Sequence, residues 1–135
     1  MPMRYLLDTN ICIYIAKRRP PEVAGRFDSL HPGEVGMSII TYGELLLGAE
    51  KSQHPQPTKE RLRRFVELVP VLSLPRESPH RYARIRADLE RAGTPIGAND
   101  LWIAAHALTS GLILVSNNLR EFGRIPGLAT ENWAQ

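Results

Sequence analysis

Cysteine is almost missing from the 135-residue chain. Cys12 stands alone, which excludes an internal disulfide framework and any Cys-rich zinc site, and it reads as a small buried hydrophobe. Lysine is nearly as scarce: Lys17, Lys51 and Lys59 are the only ones, and the rest of the 17 cations are arginine. Long apolar runs are absent too, since residues 101–105 and 112–115 fall far short of the ~20 that span a bilayer. Arg4 and Asp8 interrupt the stretch where a signal peptide needs an unbroken apolar region, so the sequence predicts a cytoplasmic protein without membrane contact. No Walker A loop, G-x-G-x-x-G or H-E-x-x-H motif occurs. What is present is an ordinary globular composition, 43% hydrophobic and 23% charged, which supports one core over residues 1–135 and is too short for two ordinary domains. The net charge of +3 is mild. Arginine's planar fork nonetheless suits phosphate and carboxylate, leaving room for a nucleic-acid partner without requiring one.

Short apolar runs alternate with helical patterns along the chain. Residues 3–7 predict a first strand and residues 10–17 a helix that is apolar nearly all round, hence buried or at an interface. Pro21 suits the first turn of a short helix ending near Leu30, residues 35–37 predict a second strand, and Ser38 caps a helix running to about Ser52. Residues 54–57, with two prolines, read as a loop before a helix on which Leu62, Phe65, Val66 and Val69 share a face. Residues 71–74 predict a third strand. Ser78 and Pro79 predict an N-cap and first helical residue for a helix to Ala92 that Gly93 ends, and residues 98–110 form another, stopped by Gly111. The last strands fall at 112–115 and 128–131. Strand alternating with helix throughout predicts an α/β domain with a mainly parallel central sheet and helices on both faces.

Four aspartates occur: Asp8, Asp28, Asp88 and Asp100. Asp28 and Asp88 lie in polar helical contexts and read as solvated. Asp8 directly follows Tyr5-Leu6-Leu7 and opens Asp8-Thr9-Asn10, at the carboxyl end of a strand, where open α/β sheets bind ligands. A helix N-cap explains it as well. Glu44 sits in an otherwise apolar helix, where an acid faces water, finds a partner or holds a cation. Asp100 lies in the first turn of a very apolar helix, where the helix dipole alone favours an anion. Ser116-Asn117-Asn118 follows a strand with Glu121 close behind, and turn formation alone accounts for the asparagines.

Asp8, Glu44 and Asp100 become informative together, because the alternation places all three near one edge of one sheet. Two carboxylates ~5 Å apart repel by ~3 kcal/mol at an effective dielectric near 20, so a trio needs a proton or a hard cation. Oxygen-only donors select Mg²⁺, with Mn²⁺ as a substitute, over zinc. Such an ion can activate water and neutralise a phosphodiester being cleaved, and Thr9 is placed to orient Asp8 or a water beside the ion. A phosphatase forming an aspartyl-phosphate would carry a second Asp in the Asp8-Thr9-Asn10 motif, and a receiver-like phosphoacceptor module would carry a late lysine; neither is present. His106 falls six residues after Asp100, points away from its face and reads as a core or surface histidine. Two classes remain open: a metal-dependent nuclease, and a non-catalytic or receiver-like binding module on the same sheet architecture.

Four motifs in order carry a resemblance. Leu6-Leu7-Asp8-Thr9-Asn10, then residues 40–49 around Glu44, then Gly97-Ala98-Asn99-Asp100 with Ile103-Ala104-Ala105-His106, then residues 115–122 with Ile125-Pro126-Gly127-Leu128, resemble the PIN-domain ribonucleases of the VapC toxin type. The resemblance runs from about Met3 to Trp133. It implies a PIN-like fold and a Mg²⁺-dependent endoribonuclease that serves as the toxin of a bacterial type II toxin–antitoxin pair, or else a housekeeping RNA-processing nuclease. It places the family's first Asp on Asp8, its Glu on Glu44 and its second Asp on Asp100. The family's fourth acid is unmatched: Asn117 or Asn118 stands there, and either Glu121 compensates or a second metal binds only with substrate. The same resemblance implies a small antitoxin partner, a homodimer and, from several relatives, cleavage of transfer RNA in its anticodon region. On the helix from Pro79, Arg81, Arg84 and Arg91 then read either as an RNA-backbone contact or as a solvated face beside an Arg86–Glu90 pair.

Overall fold

Tyr5, Leu6 and Leu7 are buried on both sides of the chain, and this run forms the central strand of the sheet. The computed structural model describes residues 2–134. Its elements are β1 (Tyr5–Leu7), α1 (Thr9–Lys17), α2 (Pro21–Asp28), β2 (Val35–Ser38), α3 (Ile39–Glu50), α4 (Pro55–Leu68), β3 (Val71–Leu72), α5 (Ser78–Arg91), α6 (Ala98–Ser110), β4 (Ile113–Val115), α7 (Leu119–Phe122) and β5 (Thr130–Glu131). The strand order is β3-β2-β1-β4-β5, and every pairing is parallel. A parallel sheet needs a crossover after each strand and is covered on both faces, which is why its strands read as continuous apolar runs.

Side chains alternate across β1. Tyr5 and Leu7 enter one core with Ile11, Cys12 and Ile15 of α1, Val23 of α2 and Met37 of β2; Leu6 enters the other with Leu89, Leu101, Ile103, Ala104 and Phe122. Helices α1, α2 and α4 therefore cover one face, and α5, α6 and α7 the other. Helix α3 lies across both, since Ile40 packs on the second core while Tyr42 and Leu45 pack on the first. Gly36 allows β3 to close on β2: a Cβ there would stand 2.9 Å from Leu72 Cδ1. Gly111 ends α6 in the left-handed conformation, φ 67°, as its position predicts.

Three local expectations are corrected. Residues 54–57 are not a loop, because α4 begins at Pro55, and both prolines fall in its first turn, where the missing N–H groups have no helical partner to lose. Ser78 is not the cap of α5 but its first residue; Glu77 is the cap and the buried Ser78 hydroxyl has no hydrogen-bond partner. Helix α7 has no counterpart among the elements expected from the sequence, since four residues are too few to show a periodicity. The strands at residues 3–7, 71–74, 112–115 and 128–131 are each shorter than expected.

After β1 the chain builds β2 and β3 on one side, then returns to place β4 and β5 on the other. The order reverses between β1 and β4, and the crevice beyond their carboxyl ends is where sheets of this kind take ligands. The Asp8 N–H donates to Val115 O at 3.0 Å, so the residue after β1 is tied to the end of β4.

Candidate active site

Asp8 leaves β1 with extended backbone angles and caps α1: its Oδ1 accepts the Ile11 N–H at 2.9 Å. It is only 6% exposed. A cap contributes about 1 kcal/mol, whereas burying an ionised carboxylate without a counter-charge costs several, so capping alone does not account for an acid here. Burial raises the Asp8 pKa, the Ser116 hydroxyl and the Ile11 N–H oppose that rise, and the charge of Glu44 adds to it.

Ser38 caps α3 by accepting the Ile40 N–H at 3.2 Å. The helix it starts carries Glu44, half-buried, toward α1 and α6. The Thr9 hydroxyl donates to Glu44 Oε1 at 2.5 Å and lies 3.4 Å from Thr41 Oγ1, while Asn99 Nδ2 donates to Glu44 Oε2 at 3.4 Å. Thr9 thus holds Glu44, where the sequence pointed to Asp8. Asn99 was legible only as the neighbour of Asp100; its amide reaches Glu44 because the first turn of α6 lies against α3.

Asp100 sits in that first turn. Burial first, then the charges of Glu121, Asp8 and Glu44, push its pKa up to about 6. The named acids therefore share one electrostatic environment, and Glu121 is the largest charge acting on Asp100. Helix α7 accounts for this. Asn118 stands at the N-cap position of α7 without a capping side-chain bond; its N–H donates to Ser116 Oγ at 2.9 Å, and its Nδ2 donates to Glu121 Oε2 at 3.0 Å. Asn117 is turned elsewhere, onto Tyr14 Oη at 2.8 Å.

Among the described residues, none of Asp8, Glu44, Asp100 and Glu121 forms an ion pair, although Asp28, Glu34 and Asp88 do. No three His, Cys, Asp or Glu side chains there are gathered tightly enough to hold a metal ion as they stand. The acids act on one another without a counter-charge, and their oxygen donors are of the kind a hard divalent cation takes. The other residues singled out take structural places: Cys12 is buried, with its thiol pKa pushed up by burial and then by Asp8, and His106 is 1% exposed and bonded to Ser38. On α5, Arg84 and Arg91 pair with Asp88 and Arg86 pairs with Glu90 at 2.9 Å, while Arg81 takes part in no ion pair among the described residues.

The PIN domain family matches residues 5–128. A Ribonuclease VapC of Haemophilus influenzae is 47% identical over 97% of this chain and 98% of its own length. The chain is a PIN-domain ribonuclease of the VapC family. A tRNA(fMet)-specific endonuclease VapC of Shigella flexneri is 43% identical, over 98% of this chain and 99% of its own. The crystal structure of DNA-bound VapBC from Salmonella typhimurium contains a chain that superposes with a TM-score of 0.90 at 41% identity, covering 97% of this chain and 98% of that one. Membership of the VapC family closes the receiver-like alternative. No helix of this VapC-family chain is long and apolar enough to cross a membrane, among the described residues.

Proposed function

We propose that this chain, acting as one nuclease domain over residues 1–135, is a cytoplasmic Mg²⁺-dependent endoribonuclease, with Mn²⁺ as a substitute ion. It serves as the toxin of a bacterial toxin–antitoxin pair. Its substrate is transfer RNA, cut in the anticodon region, and the consequence is arrest of translation. The observation that supports this reading is the set of four acids at the β1/β4 switch point, none of which forms an ion pair among the described residues. Asp8, Glu44 and Asp100 are the residues that hold the ion, with Glu121 as the fourth acid in place of the Asn118 that now orients it.

A bound divalent cation supplies charge neutralisation at the phosphodiester and a more acidic water. The chain supplies the rest. Asp8 is fixed by the α1 cap, Thr9 and Asn99 orient the two oxygens of Glu44, and Asn118 orients Glu121. Asp100, whose pKa burial and the neighbouring acids push up to about 6, would be held as the carboxylate by a bound cation. The Mg²⁺ dependence is tested by incubating the pure protein with total RNA in Mg²⁺ or in EDTA: cleavage in Mg²⁺ that stops in EDTA is expected, and cleavage that survives EDTA refutes it.

An antitoxin and a second copy of the chain are the protein partners of this reading. A groove of ≈ 560 Å³ between α1 and α4 supports the antitoxin, because it is lined by Phe27, Leu45, Phe65 and Leu68 together with Lys17, Arg18, Arg61 and Arg64. An apolar floor among cations suits an amphipathic acidic segment. It contains none of the four acids.

A further inference from the structure

Helices α3 and α6 each carry acids of the site, and two polar contacts join them. At the exposed end Asn99 reaches Glu44 at 3.4 Å. At the buried end His106 Nδ1 lies 2.9 Å from the Oγ of Ser38, the last residue of β2 and the N-cap of α3, with His106 1% and Ser38 0% exposed. Ser38 Oγ accepts the Ile40 N–H and still has its own proton to give; in the tautomer with the ring proton on Nε2, Nδ1 is the acceptor for it. Burial lowers the affinity of this ring for a second proton, consistent with an acceptor at Nδ1. Around His106 on α6, Ile103, Ala104, Ala105 and Ala107 are fully buried. An apolar side chain would fill that row without the cost of desolvating an imidazole, so what the histidine adds is a directional bond to α3. The apolar pattern of α3 does not by itself single out the face that packs, since Ile39 and Leu47 are exposed while Ile40 and Leu45 pack on the cores, so a directional bond at its start adds what the pattern lacks.

We propose that His106 is a positioning residue, which through Ser38 fixes the N-terminus of α3 against α6 and so sets Glu44 relative to Asp100. The proposal rests on the reading of the acids as an ion site.

The test compares His106→Leu, which removes the acceptor, with His106→Asn, whose Oδ1 can occupy the position of Nδ1. Ser38→Ala and Ser38→Thr remove and keep the donor from the other side with smaller changes of volume. Mn²⁺ binding is titrated by electron paramagnetic resonance on the metal-free protein below its melting temperature, beside kcat and KM for RNA cleavage in Mg²⁺. The expected result for His106→Leu and Ser38→Ala is Mn²⁺ affinity lower by roughly 10-fold or more and kcat lower with KM within about 2-fold, while His106→Asn and Ser38→Thr stay near wild type. If His106→Leu does not fold, Ser38→Ala with its Thr counterpart decides alone. Wild-type Mn²⁺ affinity and kcat in the acceptor-less or donor-less variants, with only the melting temperature lowered, overturn the proposal. A wild-type protein that neither binds Mn²⁺ nor cleaves RNA instead overturns the ion-site reading, and the proposal with it.

Discussion

Replacing Asp8 by Asn keeps the acceptor that caps α1 and removes the charge, so the two reasons for an acid at this position come apart. The expected outcome is loss of RNA cleavage by about 100-fold or more, with a melting temperature equal to or above that of the wild type in EDTA and a smaller gain on adding Mg²⁺. Parallel melts and cleavage assays check it, and full activity in Asp8→Asn counts against the ion site. Asp100 gives the pH dependence. Its folded pKa of about 6 lies above the ordinary 3.8, so the folded state binds more protons between those values and the metal-free protein loses stability as pH rises from about 4 to 6. Asp8 acts in the same direction. Buried His106 opposes them below about pH 6.5, whereas Asp28, lowered by its bond to Arg18, and Glu34, lowered by the His31 N–H and then Arg4, matter only below about pH 4. The informative quantity is therefore the melting-temperature difference between Asp100→Asn and wild type in EDTA: it should grow in favour of the variant from pH 4.5 to 7.5. A flat difference places the Asp100 pKa in the ordinary range.

Elements decide which of these residues meet. Asp8, Glu44 and Asp100 stand out in the sequence as candidates because each lies where a period or a strand end breaks: after an apolar run, within an apolar helix, at a helix start. Helix α7 was not, because Leu119–Phe122 is a single turn whose only buried residue is Phe122, and the asparagines before it satisfy a turn as readily as a cap. Glu121 could thus be noticed but not placed. Its placement is testable: Glu121→Gln removes the largest charge acting on Asp100, so the Asp100 pKa followed by carboxyl NMR should move from about 6 toward the ordinary range. No movement would detach α7 from the site. Pro55 and Pro57 mislead for a related reason, since the residue type that ends helices also starts them, and only the position of the first turn distinguishes the two.

At the scale of the molecule, strand alternating with helix was enough to give the parallel sheet, but not its order. Apolar strands such as Leu6-Leu7 and Leu114-Val115 carry no mark of their neighbours, so the β1/β4 adjacency that joins Asp8 to Ser116 is a property of the whole chain. The groove between α1 and α4 was likewise invisible, as its lining comes from four separate helices. Leu68 is 61% exposed on it, so Leu68→Asp should leave the melting temperature almost unchanged and weaken antitoxin binding by roughly 10-fold or more in a calorimetric titration. Unaltered affinity would move the antitoxin to another surface.

The central position of β1 also governs when the four acids can first come together. β1 leaves the ribosome long before one of its two partners, β4, is completed at Val115, and Glu121 comes later still. At about 5–20 residues per second, many seconds separate synthesis of the first acid from that of the last, and the long-range parallel pairing between them is of the slowly formed kind. A growing chain therefore carries no complete set of the four acids until Glu121 has emerged and folded onto the β1/β4 edge.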